Sequence, residues 1–138
     1  MRKESFPPVT FLLLTYNQEN FIAQAVESVL NQSYSPLEII ISDDCSTDST
    51  YNLILKRVQN YHGPHKINVN RNNINLGLIQ HVNVLMSMVK TDYVIVGAGD
   101  DISVETRTEK IVAEFLSDPN IVCVHSSAHK IDFMGNMY

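Results

Sequence analysis

Ile39-Ile40-Ile41-Ser42-Asp43-Asp44-Cys45-Ser46-Thr47-Asp48-Ser49-Thr50 decides how the rest of the chain is read. Three consecutive β-branched residues favour a buried strand, because they lose rotamer freedom in a helix and pack well on a pleated surface. Two carboxylates stand at the strand's carboxyl end. Ser46 or Thr47 is then placed to cap a helix, with Asp48 in its first turn where negative charge suits the helix dipole. A strand that ends in paired acids and turns at once into a helix is how an open α/β sheet presents a ligand. Taken alone, Asp43-Asp44 reads equally well as a polar turn beside a helix cap.

Working outward, Val9 to Leu14 is a nearly continuous apolar run, the pattern of a strand buried on both faces, and it ends in Thr15-Tyr16-Asn17. Phe21, Ile22, Ala25, Val26, Val29 and Leu30 recur at helical spacing. Beyond Asp44 a second helix is expected with Tyr51, Ile54, Leu55 and Val58 inward, broken by His62-Gly63-Pro64. Lys66 to Asn70 is expected as a third strand, followed by the asparagine-rich loop from Arg71 to Gly77. A third helix from about Leu78 should bury Leu78, Val82, Leu85, Met86 and Val89. Tyr93 to Val96 predicts a fourth strand closing in Gly97-Ala98-Gly99-Asp100-Asp101. A fourth helix uses Val104, Ile111, Val112, Phe115 and Leu116 and stops before Pro119. Ile121 to Val124 is expected as a fifth strand, and Ala128 to Asp132 as the start of a sixth.

This alternation predicts a single α/β domain, a mostly parallel sheet with helices on both faces. Parallel strands end on one edge. Thr15-Tyr16-Asn17, Asp43-Asp44, the Arg71–Gly77 loop and Asp100-Asp101 therefore converge in space although far apart in sequence.

The chain has 138 residues, 44% of them hydrophobic and 18% charged, which suits one globular domain with a sizeable core. A net charge of −5 with no Lys/Arg cluster argues against nucleic acid as a partner. Cys45 and Cys123 have neither zinc spacing nor a disulfide framework, and the apolar run near the start is too short for a signal peptide or span. A cytoplasmic protein is expected.

Gly97-Ala98-Gly99 suggests a dinucleotide loop, but Asp100-Asp101 stands where a pyrophosphate would sit. Two unit charges about 4 Å apart repel by roughly 4 kcal/mol at an effective dielectric near 20. Those acids suit a diphosphate only with a divalent cation between, and hard oxygen ligands fit Mg²⁺ or Mn²⁺. The plain alternative is an acidic helix N-terminus. A phospho-receiver reading fails, because the first strand ends in Thr15-Tyr16-Asn17 and the expected fifth in His125.

Together these motifs resemble the family 2 glycosyltransferases of the GT-A fold. The resemblance rests on Leu13-Leu14-Thr15-Tyr16-Asn17, Glu27-Ser28-Val29-Leu30-Asn31-Gln32-Ser33-Tyr34, Glu38 to Thr50, Asn75-Leu76-Gly77 and Gly99-Asp100-Asp101, and runs from about residue 9 to 117. It implies that Thr15, Tyr16 and Asn17 line a nucleotide pocket with Glu19 near the ribose and base. It implies that Asp44, with Asp43 beside it, accepts the N3–H of a uracil-type base. Asp101, with Asp100, would be the metal ligand, Mn²⁺ or Mg²⁺, although Ala98 stands where the commoner motif has its first acid. After Gly77 the family often carries a basic residue toward the diphosphate. His81 is nearest here, and its plain alternative is a satisfied surface histidine.

The implied activity is transfer of a sugar from a nucleotide sugar, UDP-type, to a saccharide or lipid-linked acceptor hydroxyl, with inversion, in polysaccharide or glycoconjugate synthesis. No residue between Asp101 and Tyr138 matches the family's carboxylate base. Residues 1–138 are therefore expected to form the donor-binding part of a GT-A domain truncated at its C-terminus, with the base beyond Tyr138. A full-length enzyme would work at the inner face of the membrane. A homodimer is one expected way to cover apolar surface left on the last strands. Two rivals stay open: a non-catalytic sugar-nucleotide-binding module, and a sugar nucleotidyltransferase, whose glycine-rich basic loop Thr15-Tyr16-Asn17-Gln18-Glu19 does not supply.

Overall fold

The computed structural model describes residues 6–132 and 134–137. Strands and helices alternate: β1 (Val9–Thr15), α1 (Ile22–Leu30), β2 (Leu37–Asp43), α2 (Thr50–Gln59), β3 (Lys66–Arg71), α3 (Leu78–Met88), β4 (Tyr93–Ala98) and α4 (Arg107–Ser117). The strands form one parallel sheet in the order β3-β2-β1-β4. Leu14 lies opposite both Ser42 and Ala98, and Asp43 lies opposite Thr15 and Arg71. All four carboxyl ends thus share one edge.

Strand period two explains why both faces are apolar. Val9, Phe11 and Leu13 of β1 join Leu37, Ile39 and Ile41 of β2 on one face, under Ile22, Ala25, Val26 and Val29 of α1, Ile54 of α2, and Ile111 and Val112 of α4. Leu12, Leu14 and Ile40 face the other way onto Leu85 of α3, with Val82, Met88 and Val89 half-buried around it. Every β1 position is buried. A one-residue slip of β1 would exchange its two face sets and set Thr10 and Leu12 against the larger helical layer.

Several expected helix faces are rotated. In α2 Leu53, not Leu55, packs on the core. In α3 Leu78 and Met86 point outward, and His81 shares the inner stripe with Leu85. The run Leu78-Ile79 offers apolar residues in adjacent phases, so periodicity alone cannot choose the face. Val104 precedes α4, and it and Leu116 are exposed. Phe21 is the exposed N-cap of α1, not part of its buried stripe. Nor do Ser46 and Thr47 cap α2: it begins at Thr50, and Asp48 Oδ1 accepts the Thr50 N–H at 2.9 Å.

The expected fifth and sixth strands do not form. Among the described residues Ile121 to Val124 has no ladder partner, and Val122 is exposed. Beyond it, among the described residues, an isolated antiparallel bridge joins Ile131 and Met137. A short apolar run resembles a strand in sequence, but a strand needs a neighbour to pair with. Among the described residues no helix is long and apolar enough to cross a membrane.

Candidate functional site at the carboxyl edge of the sheet

The backbone ladder continues past the strand ends: Asp44 N–H donates to Thr15 O at 2.9 Å, Asn72 N–H to Asp43 O at 2.9 Å, and Gly99 N–H to Leu14 O at 2.8 Å. These bonds bring the loops after all four strands side by side.

Asp43 is fully buried and structurally committed. It accepts from Ser46 N–H at 3.0 Å and from the Ser46 hydroxyl, and pairs with Arg71 Nε at 3.2 Å. Arg71 also donates to Ser46 O at 2.8 Å and lies over the Tyr51 ring, 4.6 Å from its centroid. The sequence places Arg71 only at the start of a loop; nothing in it marks this residue as the counter-charge of Asp43.

Asp44 is buried and holds the loop before α3. Its Oδ1 accepts from Asn72 Nδ2 at 2.7 Å and Leu76 N–H at 2.9 Å, and its Oδ2 from Gly77 N–H at 3.0 Å. Burial alone would raise its pKa, but the Asn72, Leu76 and Gly77 hydrogen bonds, with the nearby His81, bring it below the ordinary value of 3.8. Each carboxylate oxygen accepts about two hydrogen bonds, so Oδ2 keeps one acceptor position for an incoming donor. Gly77 adopts φ +74° with open space where a Cβ would stand, so the left-handed backbone is what requires glycine there.

His81 is not a surface histidine. It is buried, its Nε2 2.7 Å from Ser42 Oγ, which Asn70 Nδ2 also approaches at 2.9 Å. Burial lowers its pKa below 6.5 despite the opposing pull of Asp44 and Asp43, so at neutral pH the imidazole is uncharged. With Nε2 engaged under the sheet, His81 serves the Ser42–Asn70–Asn72–Asp44 chain of contacts.

The Thr15–Glu19 segment is laced to the loop after β2. Asn17, at φ 51°, gives its N–H to Ser46 Oγ at 2.8 Å and accepts Thr47 N–H on Oδ1 at 2.8 Å. Gln18 N–H donates to Thr50 Oγ1 at 2.8 Å. Glu19 N–H donates to Asp48 Oδ2 at 3.1 Å, while Glu19 Oε2 accepts Ser49 N–H at 2.9 Å. Tyr16 is exposed. Asn17 and Glu19 therefore staple two loops, with Tyr16 free beside them.

Asp100 and Asp101 follow β4 on an irregular segment, both exposed, and among the described residues neither carboxylate accepts a hydrogen bond or ion pair. They do not begin a helix: α4 starts only at Arg107. Arg107 is held by Val96 O at 3.0 Å and Ser103 Oγ at 3.1 Å, and burial lowers its pKa against the opposing charge of Asp101. Among the described residues no three Asp, Glu, His or Cys side chains could hold a metal alone. Two free carboxylates fit an oxygen-seeking cation that keeps its other positions for phosphate oxygens and water. Beside them Thr15 Oγ1 and Gln18 Oε1 are buried without partners among the described residues, both close to Gly99. Gln18 thus adds an unpaired oxygen to the candidate site that the motifs did not single out.

A family model described as Glycosyl transferase family 2 matches residues 10–137. The chain belongs to this family. EpsE of Bacillus subtilis (strain 168), named as a glycosyltransferase, is 36% identical over 109 residues, covering 79% of this chain and 38% of that protein. Chondroitin synthase of Escherichia coli is 29% identical over 131 residues, covering 95% of this chain and 18% of that protein. Among solved structures, Staphylococcus aureus TarS 1-349 in complex with UDP-GlcNAc superposes with a TM-score of 0.64 at 27% identity, over 79% of this chain and 31% of that one. This family 2 chain thus spans well under half the length of these relatives. Its α/β architecture is the GT-A glycosyltransferase fold.

Proposed function

We propose that this chain forms the donor side of a glycosyltransferase that moves a sugar from a nucleoside-diphosphate sugar, uridine type, to an acceptor hydroxyl on a saccharide or lipid-linked saccharide. The observation that carries this reading is the separation of two acid pairs on one edge: Asp43-Asp44 at the end of β2 and Asp100-Asp101 after β4, with β1 between. Two strand spacings are roughly 10 Å, which matches a nucleoside with its base at one end and its phosphates at the other.

The remaining acceptor position on Asp44 Oδ2 suits the N3–H of a uracil ring, and Arg71 neutralises Asp43 so that Asp44 is not facing a second bare charge. Thr15 and Gln18 offer unpaired polar atoms between the two ends. Asp100 and Asp101, with Asp101 the more direct ligand, would hold Mn²⁺ or Mg²⁺. When bound, that cation offsets the charge of the departing diphosphate. Transfer with inversion follows from single displacement, and no base is assigned among these residues. The chondroitin synthase likeness favours polysaccharide synthesis.

The test is binding. UDP, GDP, CMP and dTDP are titrated with and without Mn²⁺, following the thermal midpoint and calorimetric affinity. Uridine or thymidine diphosphate should bind, and Mn²⁺ should tighten UDP far more than UMP. Equal binding of all four bases, or no effect of metal on UDP, would sink the reading. A non-catalytic module has no observation in its favour here, and no glycine-rich basic loop supports a nucleotidyltransferase.

A further inference from the structure

Asp100 and Asp101 lie on a segment without regular structure, yet they must hold position if they are to share a cation with a diphosphate. Their own backbone is fixed from β1 and β4, by Gly99 N–H on Leu14 O at 2.8 Å and Asp101 N–H on Ala98 O at 3.1 Å, and the Ser103–Thr108 stretch that follows is tied to the end of α1. Gln32 is buried and uses its whole amide: Nε2 donates to Val104 O at 2.9 Å and to Ser28 O at 3.1 Å. Its Oε1 accepts Thr108 N–H at 3.0 Å and Thr108 Oγ1 at 2.7 Å. Ser28 Oγ accepts Ser103 N–H at 3.0 Å, and Ser33 N–H donates to Glu105 O at 3.0 Å. The Gln32 carbonyl is itself fixed by His65 Nε2 at 2.9 Å.

We propose that Gln32, with Ser28, is a positioning residue that clamps the Ser103–Thr108 segment and thereby sets where Asp100 and Asp101 stand for the metal-bound diphosphate. The inference rests on the donor-site reading above. Gln32 touches neither acid, so it acts through the segment. A planar amide with two donors and two acceptor positions is well matched to such a clamp, since it bridges a carbonyl on one side of the segment and an N–H on the other. Leaving these buried groups unpaired costs enough to favour rearranged segment conformations.

The experiment compares the parent chain with Gln32→Ala, Gln32→Glu and Ser28→Ala, measuring UDP with Mn²⁺, UDP with EDTA, and UMP with EDTA. In the parent, Mn²⁺ should tighten UDP. In Gln32→Ala that metal-dependent gain should shrink by about fivefold or more, with UMP affinity kept. Gln32→Glu keeps the acceptor for Thr108 but loses the donor to Val104, and should fall between. Amide hydrogen exchange should speed up at Ser103 and Thr108 and not in the Asn72–Gly77 loop. If Gln32→Ala does not fold, Ser28→Ala carries the test, since it removes only the Ser103 contact and one bond to Ala25 O. A parent without metal-dependent UDP binding overturns the donor-site reading and this inference with it. A parent that has it, with variants that keep it or lose UMP and UDP equally, overturns this inference alone.

Discussion

Gly99→Ala tests the geometry of the acidic segment more sharply than removing an acid does, because it leaves every charge in place. A Cβ on Gly99 would lie 2.5 Å from Gln18 Oε1, 2.7 Å from Thr15 Oγ1 and 2.8 Å from Thr15 Cβ. Gln18 can swing aside, but Thr15 ends the central strand, is buried, and gives its carbonyl to Asp44 N–H. Carbon atoms approach no closer than about 3.5 Å without repulsion. The Thr15 Cβ contact therefore falls short by roughly 0.7 Å, and residues 99–101 must move out by that order. Overpacking of this kind costs about 1–3 kcal/mol, or roughly 4–12 °C in the thermal midpoint of a domain this size. A displacement approaching 1 Å at a reacting or ligating group costs on the order of a hundredfold, so Mn²⁺-dependent UDP affinity should fall by at least about tenfold. Calorimetric titration of UDP with and without Mn²⁺ reads this, with UMP as the control for the base end. Gly77→Ala should do the reverse: the φ of +74° makes alanine strained there, loosening the loop on Asp44 and weakening UMP. Gly99→Ala with parental stability and parental metal dependence would falsify the packing argument.

The other expectations are narrower. Asp101→Ala should abolish the metal-dependent part of UDP binding and leave UMP alone, since without a cation Asp100 only repels phosphate; an unchanged Mn²⁺ titration removes Asp101 from the site. Asp44→Ala should weaken UDP and UMP alike by roughly ten- to a hundredfold, from a lost hydrogen bond of about 1.5–3 kcal/mol. It should also free the Asn72 and Leu76 donors, while Gly77 N–H keeps Asn75 Oδ1, so faster exchange at the Leu76 amide is expected; normal exchange there would contradict the staple role. Stability should fall as pH drops. His81 titrates below 6.5 in the folded chain, so the unfolded chain binds protons first, and its contribution is complete above that value and lost on acidification. Asp44, held below 3.8, adds a loss of the same sign at lower pH. Urea midpoints at pH 7.5 and 5.5 should therefore differ in the parent and differ less in His81→Asn; equal midpoints in the parent would mean the imidazole is not held neutral.

The fold is legible where two independent signals agree. Ile39-Ile40-Ile41 and Val9 to Leu14 carry β-branched or continuous apolar character together with a polar strand end, and both are central strands. Ile121 to Val124 has only the apolar run. Its fate turns on whether a neighbour can pair with it, a tertiary fact that local pattern does not hold. The same limit explains α3, where Leu78 and Ile79 offer apolar residues in adjacent phases and His81, meeting Ser42, lies on the inward face.

The placing of the two acid pairs on one edge is legible because parallel strands all end on the same side of the sheet. What cannot be read is the division of labour within each pair. Asp43 and Asp44 are neighbours, and successive side chains leave a strand end in opposite directions. One consequently turns toward Arg71 and Ser46, and the other toward the loop before α3. Ser46 is three residues from Asp43, but Arg71 and Leu76 arrive only because β3 pairs with β2 in register. The supporting residues are hidden for the same reason. Gln32 reads as one letter of a family motif, yet its amide binds a segment more than seventy residues away. Such a residue signals its role only by what it touches. A buried glutamine whose amide reaches a carbonyl, an N–H and a hydroxyl of another segment has been placed to hold that segment still, and here the segment held directly follows the two free acids.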